Sequence, residues 1–153
     1  MNPVPHASPR VSFGLPVRNG ASTISKAVES VLAQTFEDWE LVISDNQSTD
    51  GTSEICRAYA ASDARVRYVH TGRDLSIHDN FRAAFHHSHG TYFRWCGDDD
   101  WLEPQYTERT VASHFFQSSV SRAFRHATKA CRTGSLLSVV RGRSNPVAAL
   151  KFC

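Results

Sequence analysis

Four short apolar runs alternate with stretches of helical period through the first two thirds of the chain, and that alternation limits the folds open to it. Val11 Ser12 Phe13 Gly14 Leu15 Pro16 Val17 reads as a buried strand, with its proline near the C-terminal end where ladder bonding can stop. Arg18 Asn19 Gly20 then turns the chain. Ser22 or Thr23 can cap a helix whose apolar positions Ile24, Ala27, Val28, Val31 and Leu32 follow the i, i+3, i+4, i+7, i+8 pattern and leave Lys26, Glu29 and Ser30 exposed. A second strand over residues 39–44 runs into a polar loop, 45–52. The next helix spans 53–61, pairs Ile55 with Tyr59 and takes Thr49 or Asp50 as its cap. A third strand (66–70) and a loop (71–76) precede a helix that puts Ile77, Phe81, Ala84 and Phe85 on one face and stops at Gly90. Residues 91–96 form the fourth strand. Strands separated by helices of about ten residues imply right-handed βαβ crossovers and a mainly parallel α/β sheet.

Ligands of such sheets bind beyond the carboxyl ends of the strands, and the chain gathers its polar groups there. Arg18 and Asn19 follow strand one, Asp45 to Asp50 follow strand two, Arg73 and Asp74 follow strand three, and Asp98 Asp99 Asp100 follow strand four. Three adjacent carboxylates repel one another, so a fold keeps them together where water or a cation screens them. Mg²⁺ and Mn²⁺ take one or two protein carboxylates and complete their shell with phosphate oxygens and water. A metal-held phosphate ligand is the sharper reading of the triplet, and a solvated acidic turn the plainer one. Neither Gly-x-Gly-x-x-Gly nor a P-loop occurs, which disfavours a classical dinucleotide fold and a P-loop ATPase.

Charge divides the chain in two. All fifteen acids and nine of the seventeen basic residues lie at or before Glu108, giving that stretch a formal charge of −6 and the remainder +8. The basic residues of 109–153 are scattered among Ser, Ala and Val without a stripe or interleaved aromatics, so a nucleic-acid partner is not expected and a poorly structured tail is. Cys56, Cys96, Cys131 and Cys153 form no Cys-x-x-Cys pair; free thiols in a reducing compartment make the expected location cytoplasmic. No apolar run approaches the ~20 residues that span a bilayer, and the proline-rich leader 1–10 lacks a signal peptide's apolar core. Peripheral membrane attachment stays open.

Residues 11–20 (VSFGLPVRNG), 27–39 (AVESVLAQTFEDW), 41–52 (LVISDNQSTDGT) and 92–104 (YFRWCGDDDWLEP) together resemble the N-terminal half of family 2 glycosyltransferases, which have the GT-A fold, from about Val11 to Glu108. The resemblance implies an incomplete nucleotide-sugar-binding domain over 11–108 with a Rossmann-like sheet, followed by a divergent basic tail over 109–153. It implies transfer of a sugar from a nucleoside-diphosphate sugar, assisted by Mn²⁺ or Mg²⁺. Pro16, Arg18 and Asn19 would shape the pocket beside base and ribose, and Asp45 would accept a hydrogen bond from an imide N–H of the base, with Asp50 in the same loop. Asp98 and Asp100 would hold the metal, and Asp98 and Asp99 would face the donor. The family often has another acid where this chain has Gly97 and an aromatic where it has Arg18; Arg18 is then a candidate phosphate contact.

Inverting transfer needs a carboxylate base to take the acceptor's proton. The family supplies it from a second half of comparable length, and here no Asp or Glu follows Glu108. The catalytic base is therefore unassigned, a truncated product is one reading, and a non-catalytic sugar-nucleotide-binding remnant or interaction module is the alternative to the enzyme. The acceptor stays open among polysaccharide, lipid-linked sugar and protein. His86, His87 and His89 read as a helix end rather than a metal site, Trp95 and Trp101 as packing around the site, and Cys96 as a buried strand-end residue.

Overall fold

The computed structural model describes residues 8–112, 137–142 and 145–151. Its elements run β1 (Val11–Val17), α1 (Ile24–Leu32), β2 (Trp39–Asp45), α2 (Thr52–Ser62), β3 (Val66–His70), α3 (Ile77–His86), β4 (Tyr92–Trp95), α4 (Tyr106–Ala112), β5 (Leu137–Gly142) and β6 (Asn145–Lys151). The sheet order is β3-β2-β1-β4-β5-β6. β1 lies parallel to both β2 and β4, and β2 parallel to β3, so the first four strands form the expected parallel α/β sheet. Chain order reverses between β1 and β4, and the crevice at such a switch point is where open α/β sheets receive ligands.

All seven residues of β1 and all seven of β2 are buried, as strands covered on both faces must be. One face carries Phe13, Leu15, Val17, Leu41 and Ile43 against Ile24, Val28 and Val31 of α1 and Cys56 of α2, with Tyr106 and Val111 of α4 at its border. Burial of each large apolar side chain contributes about 1.5–3 kcal/mol. The opposite face is smaller: Phe85 of α3 meets Phe93 edge-on at 4.9 Å, and Phe93 meets Trp95 at 5.1 Å. Gly14 makes this possible. A Cβ there would sit 2.3 Å from the Phe93 ring, so the ring lies directly over the β1 backbone.

Several local expectations change in the folded chain. Ser30 is buried, because its hydroxyl satisfies itself on Ala27 O at 2.7 Å within α1. Thr23 occupies the N-cap of α1 without a side-chain cap bond; its Oγ1 donates instead to Gly20 O and to Asp98. α2 begins one residue earlier than its apolar pair suggested, after Gly51 at φ 94°, a left-handed conformation that glycine adopts without a Cβ penalty. α3 ends at His86 with His87 as C-cap, short of Gly90. Gly90 belongs to the approach to β4, where its N–H donates to Ser12 Oγ at 2.7 Å and a Cβ would strike the β1 backbone. Ile77 and Phe81 do not share the burial of Ala84 and Phe85: they are 76% and 38% exposed and line an open cleft.

Of the stretch 109–153, residues 113–136, 143–144 and 152–153 lie outside the described residues. Residues 109–112 complete α4. β5 pairs antiparallel with β4 (Phe93 opposite Val139) and β6 antiparallel with β5, extending the sheet beyond its parallel part. Runs too short for clear periodicity suffice here because ladder bonds are made by the main chain.

Candidate functional site

Four loops leave the carboxyl ends of β1 to β4, and hydrogen bonds tie them into one rim. The turn after β1 is latched to the loop after β2. Asn19 N–H donates to Ser48 Oγ (2.9 Å), Gly20 N–H to Thr52 Oγ1 (2.9 Å) and Ala21 N–H to Asp50 Oδ2 (3.0 Å), while Thr49 N–H donates back to Asn19 Oδ1 (2.8 Å). Asn19 and Gln47 hold positive φ angles of 55° and 59°, the cost of bending both turns into register. The loop after β3 joins through Arg18, whose Nη1 donates to Asp74. The turn after β4 joins through Asp98. Its Oδ2 accepts from Thr23 Oγ1 at 3.1 Å and lies 2.4 Å from where a Cβ on Gly20 would stand.

Asp45 is the buried keystone of the second loop, with no exposed surface. Ser48 N–H donates to Oδ1 (3.0 Å), and Ser53 Oγ (2.5 Å) and Tyr68 OH (2.8 Å) donate to Oδ2. Burial pushes its pKa up, but these donors outweigh burial and hold the carboxyl below the usual carboxylate value. Both oxygens are thus engaged inside the protein, and Asp45 holds the loop in shape. Asp50 is exposed, yet its carboxylate also works on the chain. Thr52 Oγ1 donates to Oδ1 at 2.5 Å, and this bond, followed by that from Ala21, lowers its pKa.

The acidic turn is closed by Gly97 N–H donating to Asp100 Oδ2 (2.6 Å) and Asp100 N–H to Gly97 O (3.2 Å). A Cβ at position 97 would lie 2.8 Å from Asp99 Oδ1 and 3.2 Å from Asp100 Oδ2, so glycine keeps the carboxylates close. Asp98 is half-buried; Asp99 and Asp100 are exposed. No group of three or more Asp, Glu, His or Cys side chains among the described residues converges as a closed metal cage. Such a cage is not what Mg²⁺ or Mn²⁺ needs: hard oxygen donors with spare lone pairs on an exposed turn suit an ion that shares its shell with phosphate and water. Beneath the turn, burial first and then the charge of Asp100 push the Cys96 thiol up to about 12, which leaves it inert as a nucleophile.

Beside the β1 turn opens a cleft of about 420 Å³ including its open mouth, lined by Pro16 and Arg18, by Asn46, and by Leu75, Asn80 and Phe81. Asn46 clamps the β3 loop by accepting from Leu75 N–H (2.8 Å) and donating to Leu75 O (2.8 Å).

The profile of glycosyl transferase family 2 matches residues 12–131. The chain belongs to that family. The match reaches past Glu108 and covers most of the sequence. EpsE of Bacillus subtilis, named as a glycosyltransferase, is 31% identical over 109 residues, which are 70% of this chain and 39% of EpsE. The family 2 chain therefore spans well under half of that relative. Among solved structures, Staphylococcus aureus TarS 1–349 in complex with UDP superposes with a TM-score of 0.63 at 20% identity, over 67% of this chain and 31% of that TarS 1–349 chain. The mannosyltransferase PcManGT of Pyrobaculum calidifontis, in complex with GDP-Man and Mn²⁺, gives 0.56 at 24% identity, over 63% and 29%. These likenesses show the GT-A fold.

Of the candidate residues, Pro16, Arg18 and Asn19 reach the cleft or its rim, and Asp98, Asp99 and Asp100 share one turn at the β1–β4 switch point. Asn46 and Asn80, which also line the cleft, are not among the candidate residues of the sequence. Asn80 is buried in the first turns of α3, accepting from Ser44 Oγ (2.7 Å) and donating to Val17 O (3.3 Å). The available signal was its spacing: Asn80 stands four residues before Ala84, a polar residue on an otherwise apolar stripe. Asn46, next to Asp45, carries no such mark. No helix among the described residues is long and apolar enough to cross a membrane.

Proposed function

We propose that this family 2 chain binds a nucleoside-diphosphate sugar with a divalent cation at the β1–β4 switch point and serves its transfer to an acceptor. The observation that carries the reading is the single turn 18–20. At one end Arg18 lines the cleft, and at the other Gly20 is packed against the Asp98 carboxylate. A nucleotide base in the cleft would lie against Pro16 and Phe81, with Arg18 and Asn19 toward ribose and phosphates. Asp45 and Asp50 serve this pocket by holding its loops, through the bonds they accept from Ser48, Ser53, Tyr68, Thr52 and Ala21.

Asp98 and Asp100 would hold Mn²⁺ or Mg²⁺, with Asp99 beside them toward the donor. When bound, the ion neutralises charge on the departing nucleoside diphosphate. Support for a diphosphate-bearing, metal-assisted donor comes from the neighbours solved in complex with UDP and with GDP-Man and Mn²⁺. Binding without transfer is the second reading, and assay of the bound donor separates the two.

Calorimetric titration of the full chain with UDP, GDP and dTDP tests the pocket. One of them binds in the presence of Mn²⁺, and chelation or the Asp98→Asn and Asp100→Asn pair weakens it by about tenfold or more. Metal-independent binding, or none, overturns the reading. Hydrolysis or transfer of a bound donor sugar, lost in the same variants, distinguishes the enzyme from the binding module.

A further inference from the structure

Arg94 stands in the wrong surroundings for a charge. It lies on β4 between Tyr92 and Cys96, facing the larger apolar cluster, and is 7% exposed. Its guanidinium stacks 3.9 Å above the Tyr106 ring of α4. That contact engages the face of the group, and Nε and Nη1 are buried with no hydrogen-bond partner among the described residues. A buried polar group left in that condition is costly, and more so when charged. Arg does not escape by losing its proton at any ordinary pH, although burial lowers its pKa.

The same guanidinium borders a cavity between β1, β4 and α4, with Val11, Phe13, Phe93, Tyr106 and Val111 on its walls. The space is about 310 Å³ including its mouth. Its innermost part admits about one to two water-sized groups. This cavity is on the opposite face of the sheet from the cleft lined by Pro16, Asn80 and Phe81. Asp100, on the turn above, is near enough to influence Arg94 but makes no hydrogen bond to it, and its Oδ2 is occupied by Gly97 N–H. Residues 109–153 contain no acid to supply a counter-ion.

We infer that this cavity is an anion site in which Arg94 takes the carboxylate of a small organic acid, the acid's short apolar stem resting on the walls. One guanidinium neutralises one monoanion, and a charge-assisted bond from Nε–H or Nη1–H to the carboxylate satisfies a donor that has no partner among the described residues. A phosphate dianion would enter an apolar chamber with half its charge unmet. Chloride would leave the apolar walls uncovered. The site is separate from the donor pocket and does not depend on it.

The test is a titration of the full chain with acetate, propionate and butyrate, followed by the NMR signal of Arg94 Nε–H and by the melting temperature. Chloride and phosphate at matched ionic strength are the controls. The expected result is a saturable shift of the Arg94 resonance and a saturable rise in Tm with the carboxylates only. In Arg94→Met the carboxylate response falls by about tenfold or more. Equal responses to chloride or phosphate, an unsaturable shift, or an undiminished response in Arg94→Met would overturn the assignment. If Arg94→Met does not fold, the wild-type resonance decides alone: no saturable shift means no site.

Discussion

Gly20 shows how much one hydrogen atom in place of a methyl can decide. Its missing side chain leaves room for Asp98 Oδ2 at 2.4 Å and Val17 Cγ2 at 2.7 Å from the Cβ position. Gly20→Ala therefore pushes the Asp98 carboxylate away from the β1 turn. Overpacking of this kind costs about 1–3 kcal/mol, and we expect the variant to fold while its Mn²⁺-dependent nucleotide affinity drops about tenfold, as read by calorimetry. The sequence exposes such residues unevenly. Asp98, Asp99 and Asp100 announce themselves because like charges in a row demand an explanation. Asp45 does not reveal from sequence that Ser48, Ser53 and Tyr68 will claim its oxygens, since Tyr68 arrives from a strand 23 positions away.

At the scale of elements, α3 carries two duties along one helix. Its second half packs Ala84 and Phe85 on the sheet, while its first half borders the cleft. The apolar spacing of Ile77, Phe81, Ala84 and Phe85 was legible, but periodicity reports a shared face and not how far the supporting sheet extends beneath it. Asn80 joins the two duties by bridging Ser44 and Val17 O. Asn80→Ala leaves both groups short of a partner and is expected to destabilise the fold by about 1–3 kcal/mol in urea melts and to weaken nucleotide binding along with it. Phe93 and Gly14 form a comparable joint on the same face. Gly14→Ala would drive a methyl into the Phe93 ring, so a loss of about 1–3 kcal/mol is expected, partly recovered in a Gly14→Ala, Phe93→Leu double variant.

At the scale of the whole molecule, two buried carboxylates brace opposite ends of the sheet. Asp45 does so at the carboxyl ends. At the amino ends Glu40 accepts from Ser12 Oγ (2.6 Å) and His89 N–H, with Arg67 Nη1 3.4 Å from its second oxygen. Burial raises the Glu40 pKa, yet Ser12, the His89 amide and the His89 ring together bring it below the usual value, as Ser48, Ser53 and Tyr68 do for Asp45. A carboxyl whose pKa is depressed by folding adds stability that is present above its unfolded pKa and lost as pH falls through the folded one. The melting temperature should thus decline as pH drops below about 4.5. Asp45→Asn and Glu40→Gln should each flatten that slope in thermal scans from pH 7 to pH 3. The parallel order of the first four strands could be read from alternation alone. The antiparallel pair β5 and β6 could not, because main-chain ladders leave little trace in short runs such as Val139 Val140.

The fastening between the first two loops asks very little of the residues it fastens. Gly20 and Ala21 contribute only an amide hydrogen, and Arg18 contributes nothing to it, while Ser48, Asp50 and Thr52 supply the receiving oxygens. Position 18 can accordingly change chemistry without loosening that fastening, giving up only the tie to Asp74, which on the proposed function makes it the place where ligand preference can be rewritten by a single codon.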